Sequence, residues 1–317
     1  MPGFVTHYLF GVDAYKKMRS SKLKHDIKIN HSAFALGLQG PDLFFYYLPS
    51  YLMHKENIGS LAHSKHTGTF FYNLLKSREL FCGMERELAV ADAYILGFIG
   101  HYTLDCTLHP YVYAFTGYTP ENPPSNMEYF GQHAYFETEI DNVLIYRKKH
   151  ILPSQFQQYT TIRLKPYQHH VIIRMLVYAY QNTYPDVPAS EILLGNAPQW
   201  MMFCTRLLND PSGQKKVMTR FVERIIFHRA FLSPMLPSDH IRFIADPCNH
   251  RHRTWVHPWT NNTSKASFED LYLSAKKQYL SRLHAYQKLV DSDFAPELLR
   301  QFLNEYGSRS FQSGLPC

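Results

Sequence analysis

The chain has 317 residues and a mass of 37.1 kDa, room for one large domain or two ordinary ones with a substantial core, so it needs no staples to fold. Hydrophobic residues at 45% and charged residues at 19% exclude intrinsic disorder and favour an ordinary globular chain. A formal charge of +7 suits an anionic partner without naming one, and the unusual entries are 18 His beside 23 Tyr and 22 Phe.

The opening Met1-Pro2-Gly3-Phe4-Val5-Thr6-His7 has no basic region followed by a long apolar run, so the expectation is a cytoplasmic protein. Thr6 is a candidate cap for a helix from His7 to about Met18. Lys16, Lys17, Arg19, Lys22 and Lys24 follow as a basic cluster that reads first as a solvated face. The segment Leu43 to Met53 is aromatic and largely uncharged; it reads as core packing, or as an aromatic surface able to hold a quaternary ammonium group, face lipid or stack bases. Phe70, Leu74 and Leu75, and then Ile95, Phe98, Ile99, Tyr102 and Cys106, fall at the three-and-four spacing of buried helical stripes. Thr116 to Asn126, with Gly117, Pro120, Pro123 and Pro124, breaks any regular element.

A second break near Ile151-Leu152-Pro153 divides the chain into residues 1–150 and a helical extension, 151–317. Asp92 and Arg174 interrupt the two most apolar stretches, so neither supplies the roughly 18 uncharged residues of a membrane span, and any membrane contact would be peripheral. Cys248 to Trp259 is rich in His and Arg but matches no standard metal-ligand spacing and reads as a polar loop anchored by Trp. Leu271 to Leu289 reads as an amphipathic helix packed on the rest. Five dispersed cysteines without Cys-x-x-Cys spacing are expected to be free thiols. Helical periods dominate throughout, and the expected fold is all-α, a multi-helix domain with a helical C-terminal extension.

Ten of the 18 histidines lie in residues 1–150, and two His-x-x-x-acid pairs occur, His101/Asp105 and His133/Glu137, no more than chance supplies. Their setting is more informative. Between Tyr94 and Pro110, His101, Asp105 and His109 recur every fourth residue in a segment too apolar to be a solvated face, where a carboxylate needs a cation or several hydrogen bonds. A satisfied polar stripe in the core is one reading and a metal site the other. His101 and His109 are about 12 Å apart along a helix axis, too far to share one zinc, whereas Asp105 between them has two oxygens and can bridge. Pro110 is expected to bend the chain at His109 and swing it towards His133 and Glu137.

In order along the chain, His7, Asp42, His63, His101, Asp105, His109, His133 and Glu137 make a pattern that resembles the zinc-dependent phospholipase C family, which shares a helical tri-zinc architecture with the S1/P1 nucleases. The resemblance covers roughly residues 4 to 145. It implies that Asp42, His63, His101 and Asp105 hold one zinc, His109, His133 and Glu137 a second, and His7 with bridging Asp105 a third, two to three Zn²⁺ in all. The secreted members add the amine of an N-terminal Trp. This chain has none near its start, although loss of Met1 would present the Pro2 amine. Its Asp105–His109 interval is also tighter than theirs, and His66 competes with His63, which the Ser-Leu-Ala-His context favours.

The resemblance implies a hydrolase of phosphodiesters, with a phospholipid as the expected substrate and Asp42 as the expected catalytic carboxylate. A nuclease or other phosphoesterase on the same scaffold is the alternative, nucleic acid being the less favoured partner. A non-catalytic, zinc-stabilised helical protein is the third reading.

Overall fold

Helix α1 (Phe4–Lys17) starts three residues before the expected position, and Asp141 is the reason. Gly3 at the N-cap offers no side chain, but the Asp141 carboxylate accepts from Val5 N at 3.0 Å, Thr6 N at 2.9 Å and the Thr6 hydroxyl at 2.6 Å. A distant carboxylate thus satisfies the first-turn donors, and Thr6 donates its hydroxyl instead of capping. This computed structural model describes residues 3–52, 54–121, 126–228, 230, 232–241 and 245–317, with 126–128 by backbone alone.

After α1 come α2 (Lys22–Ile29) and α3 (His31–Gly37), then 3₁₀ turns at Gly40–Phe45 and Leu48–Tyr51, then α4 (Ile58–Ser64) and α5 (Thr67–Lys76). The long α6 (Glu85–Phe115) and α7 (Asn126–Lys149) follow. Between these two lies the turn-rich interval expected at Thr116–Asn126, of which residues 122–125 are outside the described set. Beyond them are α8 (Gln158–Thr161), α9 (Pro166–Thr183), α10 (Glu191–Leu194), α11 (Ala197–Leu208), α12 (Gln214–Ile226), α13 (Phe268–Asp291) and α14 (Pro296–Tyr306). A two-stranded antiparallel sheet, Trp255–Val256 against Thr263–Ser264, is the only sheet among the described residues. At 68% helix the protein is all-α.

Helix α6 is the axis of the molecule. It is apolar on every side, as a helix surrounded by protein must be, and α1, α2, α3, α9 and α13 all pack on it. Its closest neighbour is α3, because Gly37 and Gly97 meet. A Cβ on Gly97 would lie 2.2 Å from the Phe34 carbonyl oxygen, and one on Gly37 would lie 2.2 Å from that of Tyr94. On the far side, α13 is set by a capping box of Ser267 and Asp270 and reaches α6 through three buried polar contacts. Tyr279 donates to the Leu96 carbonyl, Arg282 to the Thr103 hydroxyl, and Tyr286 to Asp92, whose charge also meets Arg78 at 2.7 Å.

Pro110 does not break α6, which continues to Phe115. Its missing N–H strips a partner from the Cys106 carbonyl, and Gly314 packs on that oxygen so closely that a Cβ there would come within 2.2 Å. One hydrophobic core runs from Phe4 to Phe311, and it continues on both sides of the end of α7 at Lys149. Among the described residues, no helix is long and apolar enough to cross a membrane.

Candidate metal centre

Each of the eight side chains picked out from the sequence arrives from an element whose position has a local cause. His7 sits one turn into α1, held by the Asp141 cap. Asp42 lies in the 3₁₀ turn after α3, where Gly40, at φ +50°, lets the backbone pass over the His101 ring, 2.3 Å from where a Cβ would stand. His63 is on α4, while His101, Asp105 and His109 follow one another along α6, and His133 and Glu137 are one turn apart on α7. His66 is exposed and left-handed at φ 52° before α5, away from the cluster, so His63 is the residue brought in.

Four atoms form the tightest group. Asp42 Oδ1 is 3.1 Å from His63 Nε2 and 3.7 Å from His101 Nε2, and these two nitrogens are 3.4 Å apart. Asp105 Oδ2 is 3.5 Å from His63 Nε2 and 3.2 Å from His101 Nε2. Ligands about 2.0–2.1 Å from a tetrahedral zinc lie about 3.4 Å from one another, so these spacings suit an ion at the centre. The other oxygen of Asp105 is 3.2 Å from His7 Nε2, and the His7 ring stacks on that of His101 at 4.3 Å. His109, His133 and Glu137 make a further group, with His133 Nε2 2.8 Å from Glu137 Oε1. His109 belongs with α7 because it lies two turns along α6 from His101, not because Pro110 bends the chain.

Outer contacts orient these rings. The Nδ1 of His63 meets the Gly59 carbonyl at 2.7 Å, that of His101 the Leu38 carbonyl at 3.2 Å, and that of His109 the Phe311 carbonyl at 2.5 Å. His133 Nδ1 meets the Tyr129 hydroxyl at 3.0 Å. The carbonyls on Nδ1 of His63, His101 and His109 can only accept, which fixes the tautomer that leaves Nε2 free for a cation, as in many histidine metal sites. The near atoms then meet chiefly one another: both ring nitrogens of His7, Asp42 Oδ1, both oxygens of Asp105 and His109 Nε2 are buried with no well-formed hydrogen bond, their close contacts being the His–carboxylate pairs of the cluster itself. So many stranded atoms at one place are what a bound cation would satisfy. A satisfied polar stripe does not describe them.

The electrostatics agree. Burial pushes the His7, His109 and His133 pKa values down and that of Glu137 up, so these groups favour their neutral forms. Burial would raise Asp105 too, but the neighbouring His101 and His109 hold it well below the usual carboxylate range. His63 goes the other way: burial acts to lower it, yet Asp105 and Asp42 lift it to about 9. A divalent ion would replace that proton and offset the cost of burying three carboxylates.

A cavity of about 700 Å³ opens beside the centre. Asp42, His63, His109, His133 and Glu137 line it, whereas His7, His101 and Asp105 stand behind them. Phe45, Tyr46 and Tyr51 of the aromatic segment form part of its wall, while Leu43 and Phe44 are core; Met53 lies outside the described residues, as does Pro2 with its amine. The Cys248–Trp259 segment joins none of these metal groups. Its neighbour Asp246 accepts from the backbone of His250 and Arg251, and Trp255 Nε1 donates to the Ala266 carbonyl at 3.0 Å.

Sequence reasoning missed Asp141, which holds α1, and the carbonyls of Gly59, Leu38 and Phe311, which aim the imidazoles. A carboxylate four residues after Glu137 was a readable signal for the first. Backbone carbonyls leave no signal in a sequence.

Fold and site together define an all-α protein whose central helices gather a buried histidine–carboxylate centre suited to zinc. The family described as zinc dependent phospholipase C matches residues 6–183, more than half of the chain, and the protein belongs to that family. The match extends past the expected limit near residue 145 to the end of α9. No curated protein and no solved structure matches the chain.

Proposed function

We propose that the protein is a zinc-dependent phosphodiesterase that releases the phosphorylated headgroup of a phospholipid, and that the eight side chains of the centre are its ligands. The observation that carries this reading is a buried cluster of histidine and carboxylate atoms that opens, through Asp42, His63, His109, His133 and Glu137, onto a cavity large enough for a headgroup. Zinc ions there would offset charge on the phosphate oxygens and bring the pKa of a bound water towards neutrality. Asp42, Asp105, His63 and His101 make one ligand set, and His109, His133 and Glu137 a second. A third would draw on His7 and the remaining oxygen of Asp105.

Asp42 is the carboxylate both in the tightest group and on the cavity wall, and it acts as the general base that takes the proton of the attacking water. Phe45, Tyr46 and Tyr51 offer ring faces to a quaternary ammonium headgroup. Asp105 and His101, behind the wall, hold charge and geometry and do not touch substrate.

Metal analysis of protein purified without chelator tests the reading together with parallel assays on a phosphocholine ester and on single-stranded DNA. The expected result is at least two zincs per chain, hydrolysis of the ester, intact DNA, and loss of both metal and activity in His101→Ala. Fewer than two zincs sinks the catalytic centre. Cleaved DNA with intact ester selects the nuclease, and zinc without either activity selects the structural role.

A further inference from the structure

Helix α12 is amphipathic in the reverse sense for a helix on the surface of a folded domain. Val217, Phe221 and Ile225 form one stripe at four-residue spacing, and Met218, Val222 and Ile226 form another beside it. All six are exposed, Val217 to 68% and Phe221 to 61%. The opposite side, with Lys216, Thr219 and Glu223, faces the protein. Glu223 is buried and accepts from the backbone N–H groups of Leu232 and Ser233, and Lys216 Nζ donates to the Leu236 carbonyl at 2.7 Å. These anchors fix the roll of the helix. Turning the apolar side inward would strand the carboxylate and the ammonium.

A contiguous apolar face of this size on a soluble chain marks an interaction surface. Its borders say what covers it. Exposed Arg220 and Arg224 run along one edge, on a chain of net charge +7, while Lys215 at the start of the helix is exposed with its Nζ donating to the Leu207 and Asn209 carbonyls. Apolar residues flanked by cations on a helix of low overall hydrophobicity are the pattern of a helix lying in a lipid headgroup layer. A second copy docked through the same face would set these cations against one another. The chain on either side of α12 also reaches the cavity, through Leu208 and Asn209 before it and Met235 and Pro237 after it.

We propose that α12 is an interfacial helix that seats the protein on a bilayer containing anionic phospholipid, beside the opening of its own active-site cavity. The choice of lipid as occupant rests in part on the phospholipid reading above.

The test is sedimentation of the zinc-loaded full chain with vesicles of phosphatidylcholine and phosphatidylserine in equal parts, alongside hydrolysis of a monomeric short-chain phosphatidylcholine. Wild type is expected to sediment with the vesicles, and Phe221→Gln/Ile225→Gln to bind at least about tenfold more weakly per side chain replaced, since each buries a large apolar group. Arg220→Gln/Arg224→Gln is expected to weaken binding by roughly tenfold or more on these vesicles and much less on phosphatidylcholine alone. Both variants keep monomer hydrolysis, because neither touches the site. The proposal is overturned if wild type stays in the supernatant, if the variants bind like wild type, or if wild type is a dimer that Phe221→Gln/Ile225→Gln dissociates. Vesicle binding that depends on Phe221 and Ile225 while no phospholipid is cleaved supports the docking helix and removes the phospholipase reading instead.

Discussion

Asp141 does at the residue scale what a local cap does elsewhere, from 135 residues away. Burial lifts its pKa to about 6, against an ordinary 3.8, although Thr6 and Val5 bind its charged form. A carboxyl held above its unfolded value contributes stability that is complete below about 3.8 and is lost as the pH rises through about 6, because the folded state then holds the proton that the unfolded state has released. Thermal midpoints of wild type and Asp141→Asn, compared from acid to neutral pH, should therefore diverge. The wild-type curve falls relative to the variant between about pH 4 and 6, by an amount of order 3 kcal/mol in stability across the interval. Parallel curves would mean that Asp141 is not buried as described. The eight candidate ligands were legible because imidazoles and carboxylates carry their chemistry in the sequence and came in a familiar order. Asp141 carried a weaker signal, a carboxylate one turn after Glu137, and nothing local ties it to Thr6.

Elements act on the site through their closeness. The α3–α6 contact at Gly37 and Gly97 brings the Leu38 carbonyl within 3.2 Å of His101 Nδ1. Gly97→Ala pushes the two helices apart, at a cost of about 1–3 kcal/mol for overpacking. It also moves the Leu38 carbonyl away from a ring that it orients, for which loss of zinc affinity of about 10-fold or more is expected, read by competition with a chromogenic chelator. A variant that loses stability but keeps wild-type affinity would confine the glycine to packing. The helical period of α6 was plain from Ile95 to Cys106, but which helix would touch it was not. Two glycines separated by 60 positions reveal their contact only once folded. The same holds for α12: its apolar stripes have the spacing of a core-facing helix, and only the contacts of Glu223 and Lys216 show that they turn outward.

At the scale of the whole molecule, the chain beyond the family match completes the centre from behind. Segment 308–317 is pinned by the Tyr102 hydroxyl, which accepts from Arg309 N at 2.8 Å, and by Gly314 against the Cys106 carbonyl left free by Pro110. It delivers the Phe311 carbonyl to His109 and sets the Phe311 ring 4.9 Å from that of His63 and 5.9 Å from that of His101. Two substitutions separate these roles. Phe311→Ala keeps the carbonyl and opens a cavity, so a stability loss of about 3–5 kcal/mol with little change in zinc affinity at the proposed His109, His133 and Glu137 set is expected. Ending the chain after Gly307 removes the carbonyl as well, and His109 then loses the acceptor that fixes its tautomer. Cobalt substitution reports on both: the visible absorption of the reconstituted protein should survive in Phe311→Ala and weaken in the shortened chain, with affinity lower by about 10- to 100-fold. Equal spectra and affinities in the two would reduce the segment to a cover for the core, and His109 would have to be oriented by its own helix alone.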